Sequence, residues 1–166
     1  MKRVLIACIL ATALCACQRN SAETPAADAA AEATGWLDAN GAGETAIVYK
    51  DSADSPGFSL SCAQATKSFH VSAPNPVEGA PIDRETATLI LGDQAFLVPV
   101  TPGAGPTPTL EVETPAIPKL LRAVADSRSA RLAFRDGFVE TGVDTEGKLL
   151  AFSARCGTLT GVAPGP

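Results

Sequence analysis

His70 is the single histidine in this chain of 166 residues, so a Ser-His-Asp relay or a histidine-held metal would have to be built around it. Such a relay needs a nucleophile, a base within reach of it and a third group that fixes the base. No Gly-x-Ser-x-Gly turn or similar nucleophile motif accompanies His70. It sits beside Ser68 in the alternating register of a strand, on the side turned toward water, and a solvated residue is the default reading. Paired carboxylates offer a second chemistry, acid/base hydrolysis. Glu78, Asp83 and Glu85 cluster near Arg84, but crowding along the chain does not make a pocket, and solvated loop charge is the default there too. Asp51-Ser52-Ala53-Asp54-Ser55 has the oxygen donors of a calcium loop, yet Pro56 stands where the sixth-position Gly belongs and the closing bidentate Glu is missing. Gly103-Ala104-Gly105 lies between prolines with no helix behind it to lend amides to a phosphate. A solvated turn and a loop are the expected structures.

The amino terminus carries more information. Lys2-Arg3 precedes eleven apolar or small residues, 4–14, which as a helix would span about 16 Å, too little for a bilayer core of about 30 Å. A basic start, a short apolar run and small residues at its end form a secretory pattern that takes no part in the fold; an N-terminal core strand is the alternative. Leu14-Cys15-Ala16-Cys17 resembles a bacterial lipoprotein signal. That resemblance implies removal of residues 1–16, lipid on the sulfur and amino group of Cys17, and a chain lying beyond the inner membrane. Ordinary cleavage after Ala16, with Cys17 unmodified, is the alternative. Each buried methylene contributes about 0.8 kcal/mol and stable anchoring needs more than one chain, so a three-chain anchor is effectively permanent. In the lipoproteins of well-studied Gram-negative cells a residue other than Asp after the acylated Cys implies the outer membrane. Gln18 therefore implies an outer-membrane anchor facing the periplasm, with inner-membrane anchoring as the alternative.

Removing residues 1–16 takes away Lys2 and Arg3, leaving 11 basic against 18 acidic side chains and a balance of -7. Such charge repels phosphate backbones and anionic lipid, which argues against nucleic-acid binding and polybasic membrane docking. Lipid, not charge, must hold the protein at a bilayer. Residues 18–34 are Ala-rich, with Pro25 and three acidic residues and no large apolar side chain. They read as a tether spanning at most about 56 Å, a frayed helix being the alternative.

Cys8 and Cys15 leave with the signal and Cys17 takes lipid, so Cys62 and Cys156 remain to pair as a disulfide, which an oxidising periplasm preserves. A redox pair is the functional alternative, but catalytic thiols usually stand close together as Cys-x-x-Cys. With both domain cysteines paired, zinc or haem lacks ligands, and no cofactor is expected beyond the covalent lipid.

Several elements must position these groups. A first strand covers residues 44–50. Phe58, Leu60 and Cys62 alternate with serines, and Phe69 and Val71 continue on a second strand with Ser68 and His70 facing away. Gly92-Asp93 marks a type II′ hairpin between residues 87–91 and 95–100, and Asp136-Gly137 a turn between Ala130, Leu132, Phe134 and a return strand from Phe138. Ile117, Leu120, Leu121 and Val124 form one helical stripe opposite Lys119, Arg122 and Asp126, with Thr114 as cap and Pro115 and Pro118 in the first turn. A last helix from Asp144 or Thr145 to Arg155 turns Leu149, Leu150 and Phe152 inward and brings Cys156 toward Cys62, with a strand as its rival. Residues 72–81 and 101–108 read as Pro-rich loops and the end as loose.

These elements predict an α+β fold, a small mostly antiparallel β-sheet domain with one or two packed helices; a β-sandwich or open barrel is the alternative. The domain spans residues 35–159, after a lipidated tether of 17–34 and before a tail of 160–166. Trp36, the strand Phe58-Ser59-Leu60-Ser61-Cys62 and the closing Phe152-Ser153-Ala154-Arg155-Cys156 make the whole domain resemble small uncharacterised periplasmic lipoproteins of alphaproteobacteria. That likeness implies a fold and an address, and carries no catalytic residue. The function expected is a non-enzymatic binding or structural component of the cell envelope, lipid-anchored, with an envelope protein as partner and no nucleic acid. A small periplasmic hydrolase using carboxylates or His70 is the alternative.

Overall fold

The structure, a computed structural model, describes residues 34–55, 57–75, 86–104, 107–135 and 137–163. The signal, Cys17, residues 18–33 and the Glu78, Asp83 and Glu85 cluster lie outside the described residues. Two compact units divide the chain, Met1–Ala30 and Ala31–Pro166, and every described residue belongs to the second.

Its elements run β1 (Gly35–Asp38), β2 (Glu44–Lys50), β3 (Phe58–Ala63), β4 (Ser68–Pro74), β5 (Thr86–Leu91), β6 (Gln94–Pro99), β7 (Thr101–Pro102), β8 (Thr109–Pro115), α1 (Pro118–Asp126), β9 (Ala130–Phe134), β10 (Gly137–Glu140) and α2 (Lys148–Thr160). Every ladder is antiparallel, and the strands form two sheets, β1-β2-β3-β4-β8-β7 and β10-β9-β5-β6. The domain is α+β, mostly antiparallel sheet with two helices packed on it.

Period-two alternation produces the first sheet. Phe58, Leu60 and Cys62 of β3 are buried, as are Phe69, Val71 and Ala73 of β4 and Leu110 and Val112 of β8, so one face is dry and the other polar. α2 covers that dry face with Leu149, Phe152 and Cys156, spaced at helical intervals. Phe152 meets Phe69 edge to face, ring centroids 6.2 Å apart. Cys156 joins Cys62 in a disulfide with Cα atoms 5.6 Å apart. α1 lies against α2, and the buried hydroxyl of Ser153 donates to the Leu121 carbonyl at 2.7 Å. In the second sheet Gly92 adopts φ +60 between the paired residues Leu91 and Gln94, while Asp93 keeps negative φ, as a type II′ hairpin requires.

Local expectations are corrected at several points. β4 runs through Pro74, where a loop was expected, because Ser72, Ala73 and Pro74 pair with Glu111, Leu110 and Thr109 of β8. Thr114 and Pro115 are not the cap and first turn of α1. They still pair with Phe69 and Ser68, and Ile117 occupies the N-cap without a side-chain bond, with Pro118 opening the helix. Ile117 is consequently exposed and outside the buried stripe. The second hairpin turns one residue earlier than expected, since Gly137 already pairs with Phe134. Leu150 points outward, 59% exposed, because Leu149, Phe152 and Cys156 fix the buried face. The last helix, expected from Asp144 or Thr145 to Arg155, instead runs from Lys148 to Thr160, which is buried.

Cys62 and Cys156 are 94 positions apart. Closing so long a loop restricts the unfolded chain, and replacing both cysteines by Ala should lower stability by about 2–5 kcal/mol. Denaturant midpoints of the two proteins, with the oxidised parent alongside its reduced form, measure this.

Candidate functional site

His70 stands on the outward face of the first sheet, where the ladders set Ser61, His70 and Glu113 side by side across β3, β4 and β8. The same face brings Ser68 to it: Ser68 Oγ lies 2.6 Å from His70 Nε2 and also contacts Thr66 Oγ1. Glu113 Oε1 lies 3.9 Å from that same Nε2. A relay uses one ring nitrogen for the hydroxyl and the other for the carboxylate, whereas here both partners address one nitrogen. Ser68 is only 4% exposed, against the water-facing placement expected from alternation, so its hydroxyl meets no substrate. The cluster is a satisfied polar network on a sheet face. Beside it Glu111 Oε1 accepts hydrogen bonds from Ser72 and Thr109 at 2.7 and 2.9 Å.

A second polar group ties β1 to α2. Asp38 accepts from Arg155 Nη2 at 2.6 Å and from Lys148 Nζ at 3.1 Å. Arg155 Nε also donates to Thr45 Oγ1, whose hydroxyl donates to Asn40 Oδ1. Asp144, four residues before the first residue of α2, accepts the amides of Glu146 and Leu149 on its two carboxylate oxygens and thereby caps the helix from outside it. The hydrogen bond from Lys148 is the largest influence on Asp38 and, with the charge of Arg155, holds its carboxyl below the ordinary value. Tyr49 is shifted upward, first because its hydroxyl is held by Asp51 and then by burial; its ring centroid lies 5.6 Å from that of Trp36.

The residues of the calcium-like segment close on themselves, Ser55 Oγ donating to the Ser52 carbonyl at 3.1 Å. Among the described residues no three His, Cys, Asp or Glu side chains converge as metal ligands.

A cleft of about 740 Å³ opens between the Gly92-Asp93 turn and the polar side of α1. Its size suits a small ligand or an inserted side chain. Asp93, Gln94, Lys119, Arg122 and Asp126 supply charge and hydrogen bonds to it. Arg122 Nε donates to Asp126 Oδ2 at 2.8 Å, and Lys119 Nζ lies 5.7 Å above the Phe96 ring. Groups of these types can bind and orient a ligand; none is a thiol, an imidazole or an activated hydroxyl. His70 is not among the lining residues. The sequence placed Lys119, Arg122 and Asp126 on one helix face but gave no sign that a hairpin some 25 positions earlier would stand opposite them. Comparison with family models, curated proteins and solved structures finds no match for this chain.

Because the folded Asp38 carboxyl is depressed, its contribution to stability is present above the unfolded value and is lost as pH falls through the folded one. Asp38 is 39% exposed, so solvent screening holds that contribution to about 1 kcal/mol or less. Asp38→Asn should lower stability at pH 7 by that amount and remove this part of the acid dependence below about pH 4. Chemical denaturation at pH 7 and at pH 3 reads both effects.

Proposed function

We propose that this protein is a membrane-anchored periplasmic lipoprotein, acylated at Cys17, whose domain is a non-enzymatic binding or structural component of the cell envelope. The observation that carries the reading is the use of cysteine. Cys62 and Cys156 are consumed by one bond in the core, and a bond of that kind persists outside the reducing cytoplasm. The domain thereby uses both of its cysteines and leaves Cys17 as the remaining one past the signal, at the position where the lipoprotein pattern places its acylated residue. With Gln18 next, the anchor belongs in the outer membrane facing the periplasm.

Binding, rather than turnover, is the role that the polar groups favour. The cleft beside α1 offers both signs of charge around a concave surface, suited to a side chain or loop of an envelope protein. The hydrolase alternative draws no support from His70, whose two neighbours share one ring nitrogen.

Labelled palmitate should enter the wild-type protein and fail to enter Cys17→Ser, which should leave the membrane fraction. Equal incorporation, or none in either, refutes the anchor. Crosslinking in intact envelopes should capture a protein that Arg122→Glu releases by tenfold or more; turnover by the purified protein would refute the binding role.

A further inference from the structure

The second sheet has an outward face that nothing described covers. Its inner side chains, Ala87, Leu89, Leu91, Ala130 and Leu132, are buried in the core. On the opposite face the ladders align Leu97 of β6 with Thr88 of β5, Thr88 with Ala133 of β9, and Ala133 with Phe138 of β10. Leu97 is 76% and Phe138 57% exposed. They stand on the two edge strands, about 14 Å apart at the usual strand spacing, with only a threonine and an alanine between them. The next row is Ala95, Ile90, Arg131 and Glu140. Its two charges cancel, Arg131 Nη2 donating to Glu140 Oε2 at 2.7 Å, and the Arg131 guanidinium carbon lies 4.8 Å from the centre of the Phe138 ring.

We infer that this face docks on the surface of a lipid bilayer, with the side chains of Leu97 and Phe138 entering the interfacial layer. Three observations select lipid over another protein. Two apolar prongs separated by a low saddle would leave a gap against a rigid flat surface, whereas fluid lipid fills around them. The two rows that carry and flank the prongs hold only the mutually paired charges of Arg131 and Glu140, with the cationic Arg135 exposed just beyond β9, although the chain without residues 1–16 carries a net charge of -7, so this face can approach a bilayer without the repulsion that the acidic remainder meets. The long Arg131 side chain beside the ring can swing its guanidinium toward the headgroups as the ring enters, as cationic side chains do at membrane interfaces. The inference rests on the anchored reading for its strength: the 16 residues between Cys17 and Thr34 span no more than about 56 Å in any conformation, so an acylated chain is never far from the bilayer, and weak contacts act at high effective concentration.

Trp36 is the single tryptophan and is buried, so an added Trp reports on its own surroundings. Phe138→Trp is introduced into the full-length gene, and the protein recovered from envelopes is reconstituted in phosphatidylcholine vesicles bearing a nitroxide near the acyl carbonyl. The added emission should fall at least by half, while that of Thr158→Trp, on the exposed side of α2, should hardly change. Adding Leu97→Ser to Phe138→Trp should restore most of the signal. No quenching at position 138, or equal quenching at 138 and 158, overturns the inference. So does emission at 138 that is shifted before vesicles are added and follows protein concentration, the mark of a second copy on the face. Intact mass of the same sample reports acylation separately. If Cys17 proves unmodified, titrating the chain with excess vesicles still decides docking: selective quenching at 138 upholds it and none overturns it.

Discussion

The covalent tie between β3 and α2 is the constraint around which the domain is organised. A disulfide fixes the distance between two backbones, and here it joins the centre of a sheet to the last helix of the chain. Everything between them, from the turn after Cys62 to the start of α2, is thereby enclosed in one loop. α2 brings with it the Phe152 contact on Phe69 and the Ser153 hydrogen bond to α1, so the helix layer and the first sheet are held as one body. The Asp38 pair with Lys148 and Arg155 closes the same junction at the surface, where solvent makes it the weaker element.

That arrangement explains why polar groups on this domain behave as structure. Ser68, His70 and Glu113 sit on strands whose other faces are buried in the core, and the rigid ladder sets their spacing. They satisfy one another on a sheet surface. The cleft beside α1 has a different origin, since a hairpin turn and a helix meet at an angle and leave concave space between them. Recognition surfaces commonly arise at such concave junctions.

Much of this was legible in the sequence, because two periods speak plainly in it. Alternation in Phe58, Leu60 and Cys62, helical spacing in Leu120, Leu121 and Val124, and glycine at position 92 each name an element and its buried side. Boundaries were less legible, for a physical reason: tertiary pairing overrode local preference. Pro74 and Pro115 read as loop and helix start, yet each terminates a strand whose partner supplies the pairing. β1 was missed because four residues carry too short a pattern. Leu150 looked like core beside Leu149, and only the position of α2 on the sheet decides between neighbours 100° apart. The cleft was illegible, since its two walls meet only in the folded chain, and the carboxylates Glu78, Asp83 and Glu85 lie outside the described residues.

The central claim is that one cysteine outside the domain carries lipid while two inside it hold the domain closed. Intact mass of protein extracted from native envelopes under thiol-blocking conditions tests both halves at once. The account predicts a chain beginning at Cys17, heavier by the acyl groups, with no blocked thiol until a reductant is added. A chain still carrying residues 1–16, or one with both Cys62 and Cys156 blocked before reduction, contradicts it.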